Sequence, residues 1–182
     1  MPTHVALLRG INVGGRNKVA MADLRDVVTS VGHTEVATYI QSGNVVFTSK
    51  KTDSDALGAA LERAVKKRFG VPISVVVLSH AEFAKVVADN PYPDETNPKA
   101  LHAVFRAEAA GPDTRAAVAT AEQRAKAKGD PGEAVIVGRT LFMHTPDGLG
   151  RSELAAQLSR TKVGGTARNW ATVTKLLAML DA

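Results

Sequence analysis

The chain has 182 residues, of which 45% are hydrophobic and 23% charged, with a formal net charge of +5 at pH 7. This composition is ordinary for a folded protein with one large domain or two small ones, and it excludes a disordered chain. There is no cysteine, which excludes disulfides, thiolate nucleophiles and cysteine-ligated metal sites.

No apolar run approaches the roughly 20 residues that a membrane-spanning helix needs. The first residues, Met-Pro-Thr-His, lack the basic stretch and apolar core of a secretory signal. We therefore expect a cytoplasmic protein with no membrane partner. The positive net charge is compatible with a phosphate-bearing partner, but it is equally ordinary for a soluble protein.

The apolar pattern of the first half alternates between short β-branched runs and helical spacing. Met21, Leu24, Val28 and Val31 recur at intervals of three and four, which predicts an amphipathic helix. In chain order the predicted elements are a strand at 5–8, this helix, strands at 36–40 and 45–48, a helix ending at Gly70, a strand at 73–78 and a short helix after Ser79.

The second half repeats this alternation after a break. The predicted elements are a strand at 101–105, a helix at 113–126, hairpin strands at 134–137 and 140–144, a short helix at 153–159 and a final helix. We place the start of the final helix after the glycine pair 164–165, with Thr166 as its N-cap and Arg168 in its first turn. Trp170 shares a helical face with Val173 and Leu177, which favours a core position.

Residues 90–98 contain three prolines and no periodicity, which predicts a linker at 91–98 between subdomains 1–90 and 99–182. The order strand–helix–strand–strand–helix occurs on both sides of it. Helices alternate with hairpins rather than with single strands. The sequence therefore predicts an α+β fold of two similar subdomains, each a mostly antiparallel sheet with helices packed on it, in a ferredoxin-like element order.

Three stretches carry a family resemblance: Ala6-Leu-Leu-Arg-Gly-Ile-Asn-Val-Gly-Gly15, Thr38-Tyr-Ile-Gln-Ser-Gly-Asn-Val-Val-Phe47 and Thr166-Ala-Arg-Asn-Trp-Ala-Thr-Val-Thr-Lys-Leu176. Gly148-Leu-Gly-Arg-Ser152 and Asn90-Pro91 also fit. Together they resemble the bacterial family called domain of unknown function 1697, from one end of the chain to the other. The resemblance implies a two-part α+β fold, a cytoplasmic protein and no assigned chemistry. It supplies no catalytic residue.

The loop 9–18 follows a predicted strand, precedes a predicted helix and comes close to a phosphate-binding P-loop. Arg16 stands where a P-loop has lysine, and Asn17 stands where it has a magnesium-binding hydroxyl. We therefore expect no intrinsic nucleotide hydrolysis. Its glycines can still turn backbone amides toward an anion, and the loop has three cations and no acid. The alternative is a structural turn with solvated charges.

Two further segments combine glycines with an arginine near a predicted helix start. A cation is unfavourable at that end of a helix, so Arg151 and Arg168 each predict either a bound anion or an internal carboxylate such as Asp147 or Glu153. Ser152 is a candidate N-cap. We expect loop 9–18, loop 147–151 and residues 165–169 to converge on one basic cleft.

The turn 41–44 offers a hydroxyl and two amides without an adjacent base, which favours a polar hairpin turn. The five histidines show no metal-binding spacing, and His102 and His144 are expected to face solvent or one another. No motif indicates a metal or a cofactor. The candidate ligand-binding residues are Arg9, Gly10, Asn12, Gly14, Gly15, Arg16, Lys18, Ser42, Asn44, Arg151, Ser152, Thr166, Arg168 and Asn169.

Three functions stay open at this point. The first is binding of an anionic small molecule or nucleic acid through the glycine- and arginine-rich loops, although an aromatic content of 4% leaves few stacking platforms for bases. The second is an enzyme acting on a small phosphorylated or anionic substrate, for which no general base is evident. The third is a structural or interaction protein without a ligand. The sequence does not indicate an oligomeric state.

Overall fold

The computed structural model describes residues 1–182 and divides into two compact units. Unit 1 consists of Met1–Lys85 and Thr174–Ala182, and unit 2 of Val86–Val173. Unit 2 is thus one continuous segment, whereas unit 1 is formed from two. None of the helices is long and apolar enough to cross a membrane.

Unit 1 is built around a four-stranded sheet. Its elements are β1 (His4–Leu8), α1 (Met21–Ser30), β2 (Thr34–Tyr39), β3 (Asn44–Thr48), α2 (Ser54–Phe69), β4 (Val75–Ser79) and the start of α3 (His80–Ala88). The strand order is β2-β3-β1-β4, and every neighbouring pair is antiparallel. A buried cluster that includes Leu24, Phe47 and Leu61 joins this sheet to α1 and α2.

Unit 2 repeats this plan. Its elements are β5 (Leu101–Phe105), α4 (Pro112–Ala127), β6 (Glu133–Val137), β7 (Thr140–His144), a 3₁₀ turn at Leu149–Arg151, α5 (Glu153–Ser159), β8 (Thr166–Asn169) and the start of α6 (Trp170–Leu180). The sheet order is β6-β7-β5-β8, again with only antiparallel pairs. The predicted fold class, two similar α+β subdomains, is therefore confirmed.

Local signals explain both ends of α2. Asp53 caps α2, because its side chain accepts a hydrogen bond from the Ala56 amide. Gly70 ends the same helix in the left-handed conformation, with φ 76°, where a residue without Cβ avoids strain.

One predicted boundary is wrong. Residues Thr166–Asn169 form strand β8, which pairs with β5, and the final helix begins only at Trp170. In this strand Thr166 and Arg168 are buried while Ala167 is exposed. The alternation has the period of a strand, but the buried residues are polar, so a search for alternating apolar residues misses it.

The proline-rich segment contains no helix or strand, and it is held by specific bonds within unit 2. The Trp170 amide donates a 3.1 Å hydrogen bond to the Pro98 carbonyl. The Glu95 carboxylate lies 2.6 Å from Nε2 of His144 on β7. The division into 1–90, a linker at 91–98 and 99–182 stays a prediction.

Candidate functional site

Loop 9–18 joins β1 to α1 and is held in shape by two of its own side chains. Asn12 accepts a hydrogen bond from the Val19 amide and donates one to the Val19 carbonyl, both 2.9 Å. Asn17 donates to the Gly10 carbonyl at 3.0 Å. The loop has five residues with positive φ, namely Gly10, Asn12, Gly14, Gly15 and Asn17. Glycine and asparagine tolerate this conformation better than other residues, which explains why they occur here.

The charged groups of this loop stay available to solvent. Arg9, Arg16 and Lys18 are exposed, and none of the three forms an ion pair. The amides of Gly14 and Gly15 also have no acceptor in the protein. Loop 9–18 therefore has three cations without an ion-pair partner and two adjacent backbone amides without an acceptor, while hydrogen bonds from its own side chains keep it ordered.

The turn between β2 and β3 lies against this loop within unit 1. The Asn12 side chain donates a 2.8 Å hydrogen bond to the Gln41 carbonyl, and the Leu8 amide donates to the Gly43 carbonyl at 2.8 Å. Asn44 is fully buried, and its amide nitrogen donates to the Tyr39 carbonyl and the Ser42 hydroxyl. The structure thus brings the predicted residues of loop 9–18 and of turn 41–44 together. The side chains of Asn12 and Asn44 form hydrogen bonds that hold these two segments in shape.

The segment 147–151 of unit 2 lines an open groove of about 810 Å³, and Gly148 and Arg151 contribute to its wall. Its charges are mixed. The Lys128 ammonium is paired with Glu153 at 2.6 Å, and the carboxylates of Asp130 and Asp147 also line the groove. Lys99 and Arg151 are its cations without an ion-pair partner.

The start of α5 is capped from within the protein. Ser152 is the predicted N-cap and accepts a hydrogen bond from the Ala155 amide. Its hydroxyl donates to Asp130, whose carboxylate also accepts a 2.7 Å bond from the Leu154 amide. Partial burial acts to raise the pKa of Asp130, but the hydrogen bonds that it accepts lower it below its ordinary value. Asp130 is thus an internal carboxylate at this helix end that the sequence did not suggest. Of the two that it suggested, Glu153 lies in the first turn of α5, and Asp147 forms no hydrogen bond.

Arg168 does not lie in the first turn of a helix. It is on β8, only 8% exposed, and its guanidinium donates a 2.9 Å hydrogen bond to the Ala167 carbonyl. Desolvation lowers its pKa to about 10. Asn169, not Thr166, caps α6, because its side chain accepts a hydrogen bond from the Thr172 amide. Within unit 2, Arg168 does not line the groove that contains Arg151.

The two strand histidines do not face one another. His102 lies opposite Met143 and His144 opposite Leu101, so the two side chains point to opposite faces of the sheet. His102 is buried, which lowers its pKa, and its Nδ1 has no hydrogen-bond partner. His144 stacks on Tyr92 and is paired with Glu95. Burial, followed by the charge of Glu133, raises the pKa of Tyr92 to about 12.

The family comparison covers most of the chain. Residues 1–142 match the model of a family described as a protein of unknown function, DUF1697. The chain belongs to this family. A solved structure of a conserved bacterial protein from Streptococcus pneumoniae is similar to it, with 25% sequence identity, 98% of each chain covered and a TM-score of 0.75. No curated protein matches the chain.

This DUF1697 protein also has chemically interesting residues that the sequence did not single out. Arg124 and Arg160 line a small cavity between α4 and α5, and Lys99 lines the larger groove. The two arginines lie far apart in sequence and in no recognisable motif. Helical spacing could have placed Arg124 on the same face as Ala117 and Ala121, but no sequence signal pairs that face with Arg160.

Proposed function

We propose that this protein binds an anionic, phosphate-bearing ligand through loop 9–18. The observation that carries the proposal is the combination of internal bracing and unused donors. Asn12 and Asn17 hold the backbone, while Arg9, Arg16 and Lys18 remain without ion-pair partners.

The physical argument rests on preorganisation. A loop that is already ordered loses little conformational entropy when a ligand arrives, so more of the contact energy appears as affinity. Adjacent backbone amides form concave anion sites when glycines supply positive φ. Guanidinium groups add charge-assisted hydrogen bonds to phosphate oxygens.

Several finer points belong to the same proposal. We place the protein in the bacterial cytoplasm. A small anion is favoured over nucleic acid, because only 4% of residues are aromatic and base stacking needs aromatic surfaces. Within unit 1, the further proposed ligand contacts are Gly10, Gly14, Gly15 and Ser42. The candidates that lie in unit 2, namely Arg151, Ser152, Thr166, Arg168 and Asn169, and the buried Asn44 stay predictions from the sequence.

The second candidate function is an enzyme acting on a small phosphorylated substrate. The pair formed by His144 and Glu95 favours it, since a carboxylate that orients an imidazole is one arrangement of a general base. The pair also tethers the proline-rich segment to β7, which is sufficient reason for its presence. Binding through loop 9–18 is therefore the better-supported function.

Thermal unfolding with pyrophosphate tests the proposal. At a concentration one hundred times the Kd, a ligand specific for the folded state stabilises it by about 2.7 kcal/mol, which corresponds to several degrees in Tm. We expect Arg16→Gln to remove at least half of the Tm increase seen with the unsubstituted protein.

Lys67→Gln is the matched control, because Lys67 is an exposed, unpaired cation on α2 in the same unit. It should leave the pyrophosphate effect unchanged. Equal losses in both variants, or an effect that disappears in moderate salt, would indicate general charge attraction and contradict the proposal. A single-stranded RNA oligonucleotide tested in parallel distinguishes nucleic acid from a small anion.

A further inference from the structure

A small cavity of about 300 Å³ lies between α4 and α5 in unit 2. Arg124 is one of its lining residues on α4, and Gln157 lines it from α5, with Arg160 and Thr161 just after that helix. The cavity shares no residue with loop 9–18, so an anion bound here would occupy a site separate from the proposed function.

The cavity exists because the facing side chains are small. Ala117 and Ala121 are four residues apart on α4 and therefore lie one turn above the other on the same face. Ala121 is buried, so this face packs toward the interior. Bulky apolar residues at these positions would close the space, as is usual between packed helices.

The lining carries two positive charges and no negative one. Arg124 and Arg160 come from different elements, and neither forms an ion pair. Hydrogen bonds from Lys128 and Gln157 lower the pKa of Glu153, and the charge of Arg160 contributes less to this shift. Glu153 is thus already engaged by other groups and does not line the cavity. The larger groove differs, because its cations are accompanied by three carboxylates.

The end of α5 does not oppose an anion strongly, although the last carbonyls of a helix carry partial negative charge. The Arg160 amide donates to the Gln157 carbonyl, and the Thr161 amide donates to the Leu158 carbonyl. The Thr161 hydroxyl adds a 2.6 Å bond to the same Leu158 carbonyl. These acceptors are consequently engaged within the helix end.

We infer that the cavity binds the phosphate group of a small phosphorylated molecule between Arg124 and Arg160. Each guanidinium presents a fork of donors and no acceptor, so two of them suit a tetrahedral anion that offers several oxygens. A single carboxylate would satisfy only one fork. The volume is at the lower end of the range of ligand cavities, which favours a molecule of a few carbon atoms.

Glycerol 3-phosphate is a suitable probe, added at constant ionic strength while amide signals are followed by NMR. The expected result is a saturable shift of the Thr120, Ala121, Gln157 and Thr161 signals. Arg124→Gln combined with Arg160→Gln should weaken binding at least tenfold, since both forks are lost. Arg124→Lys should weaken it less, because it keeps the charge and loses only the fork geometry.

Arg115→Gln is the control, because Arg115 is an exposed arginine on the same helix outside the cavity. It should bind as the unsubstituted protein does. Absence of a saturable shift, or equal affinity in the double variant and the control, would overturn the inference. Shifts confined to residues 9–18 would overturn it while supporting the proposed function, and Arg16→Gln should leave the cavity signals unaffected.

Discussion

At Gly43 both the backbone conformation and the neighbouring side chains oppose a Cβ. Its φ is 87°, and a Cβ placed there would lie 2.8 Å from both the Leu8 Cβ and the Ile11 Cδ1. The sequence indicates a glycine turn at this position, but it cannot show that Ile11 closes over it. The close approach fixes the turn 41–44 against the first residues of loop 9–18.

Gly43→Ala should therefore lower the free energy of unfolding by about 2–5 kcal/mol, from left-handed strain together with overpacking. Gly14→Ala is the comparison, since Gly14 also has positive φ but a Cβ added to it would meet nothing within 4 Å. It should cost only about 1–2 kcal/mol. Urea unfolding measures both, and equal losses would show that the contact with Ile11 and Leu8 is unimportant.

Asp130 has a structural role that the sequence does not indicate. Its carboxylate accepts bonds from the Ser152 hydroxyl and the Leu154 amide at the start of α5, and from the Gly132 amide in its own turn. The separation of residues 130 and 152 in the sequence does not predict that their side chains are in contact. The tertiary fold alone brings the turn after α4 to the start of α5, so the sequence suggests Glu153 in the first turn and misses Asp130.

Asp130→Ala should lower the free energy of unfolding by about 2 kcal/mol at neutral pH. Because folding lowers the pKa of Asp130, its stabilisation is fully present above the ordinary pKa of aspartate and is lost as the pH falls through the folded value. The difference between the two proteins should consequently shrink in acid. Asp147→Ala, in the same groove without a hydrogen-bond partner, should show little effect at any pH; a constant penalty for Asp130→Ala would contradict the linkage argument.

The periodicity of apolar residues predicts most of the helices and strands, but it does not predict strand β8. Its buried positions are Thr166 and Arg168, whose polar side chains give no hydrophobic signal. The sequence therefore predicts a helix start at residues that pair with β5 instead. The physical reason is that pairing at the sheet edge outweighs the local preference that an isolated segment would show.

Asn169 at the end of β8 provides a test of the revised helix boundary. Asn169→Ala removes the acceptor for the Thr172 amide and should lower the free energy of unfolding by about 1 kcal/mol. Asn169→Asp keeps an acceptor at the same position and should retain most of the stability. If both substitutions cost the same, the side chain of Asn169 is not acting as a helix cap.

At the scale of the whole molecule, the same architecture occurs twice. β1 pairs with β4 as β5 pairs with β8, and in this register His4 corresponds to His102, opposite Ser79 and Asn169 respectively. Each of these histidines is buried with one ring nitrogen lacking a partner. The element order predicts the repeat, but the equivalence of the two histidines appears only when the strand registers are known.

The limits of the second half can be tested by excision. Residues 86–173 should give a dispersed amide NMR spectrum, because they contain every strand of the second sheet and the residues tethered to it. The fragment 99–182, the predicted subdomain, lacks Glu95 and Pro98, which bond to His144 and Trp170. It should be less stable toward urea. Equal stability of the two fragments would support the boundary drawn from the prolines.

The discontinuity of unit 1 has a consequence for the order in which the protein can mature on the ribosome. Synthesis proceeds from the N-terminus at roughly 5–20 residues per second, and domains generally begin to fold as they emerge. The unit that emerges first is here completed last, because Thr174–Ala182 follow all of Val86–Val173. A nascent chain arrested within unit 2 carries every strand of the first sheet while still lacking the C-terminal residues of unit 1.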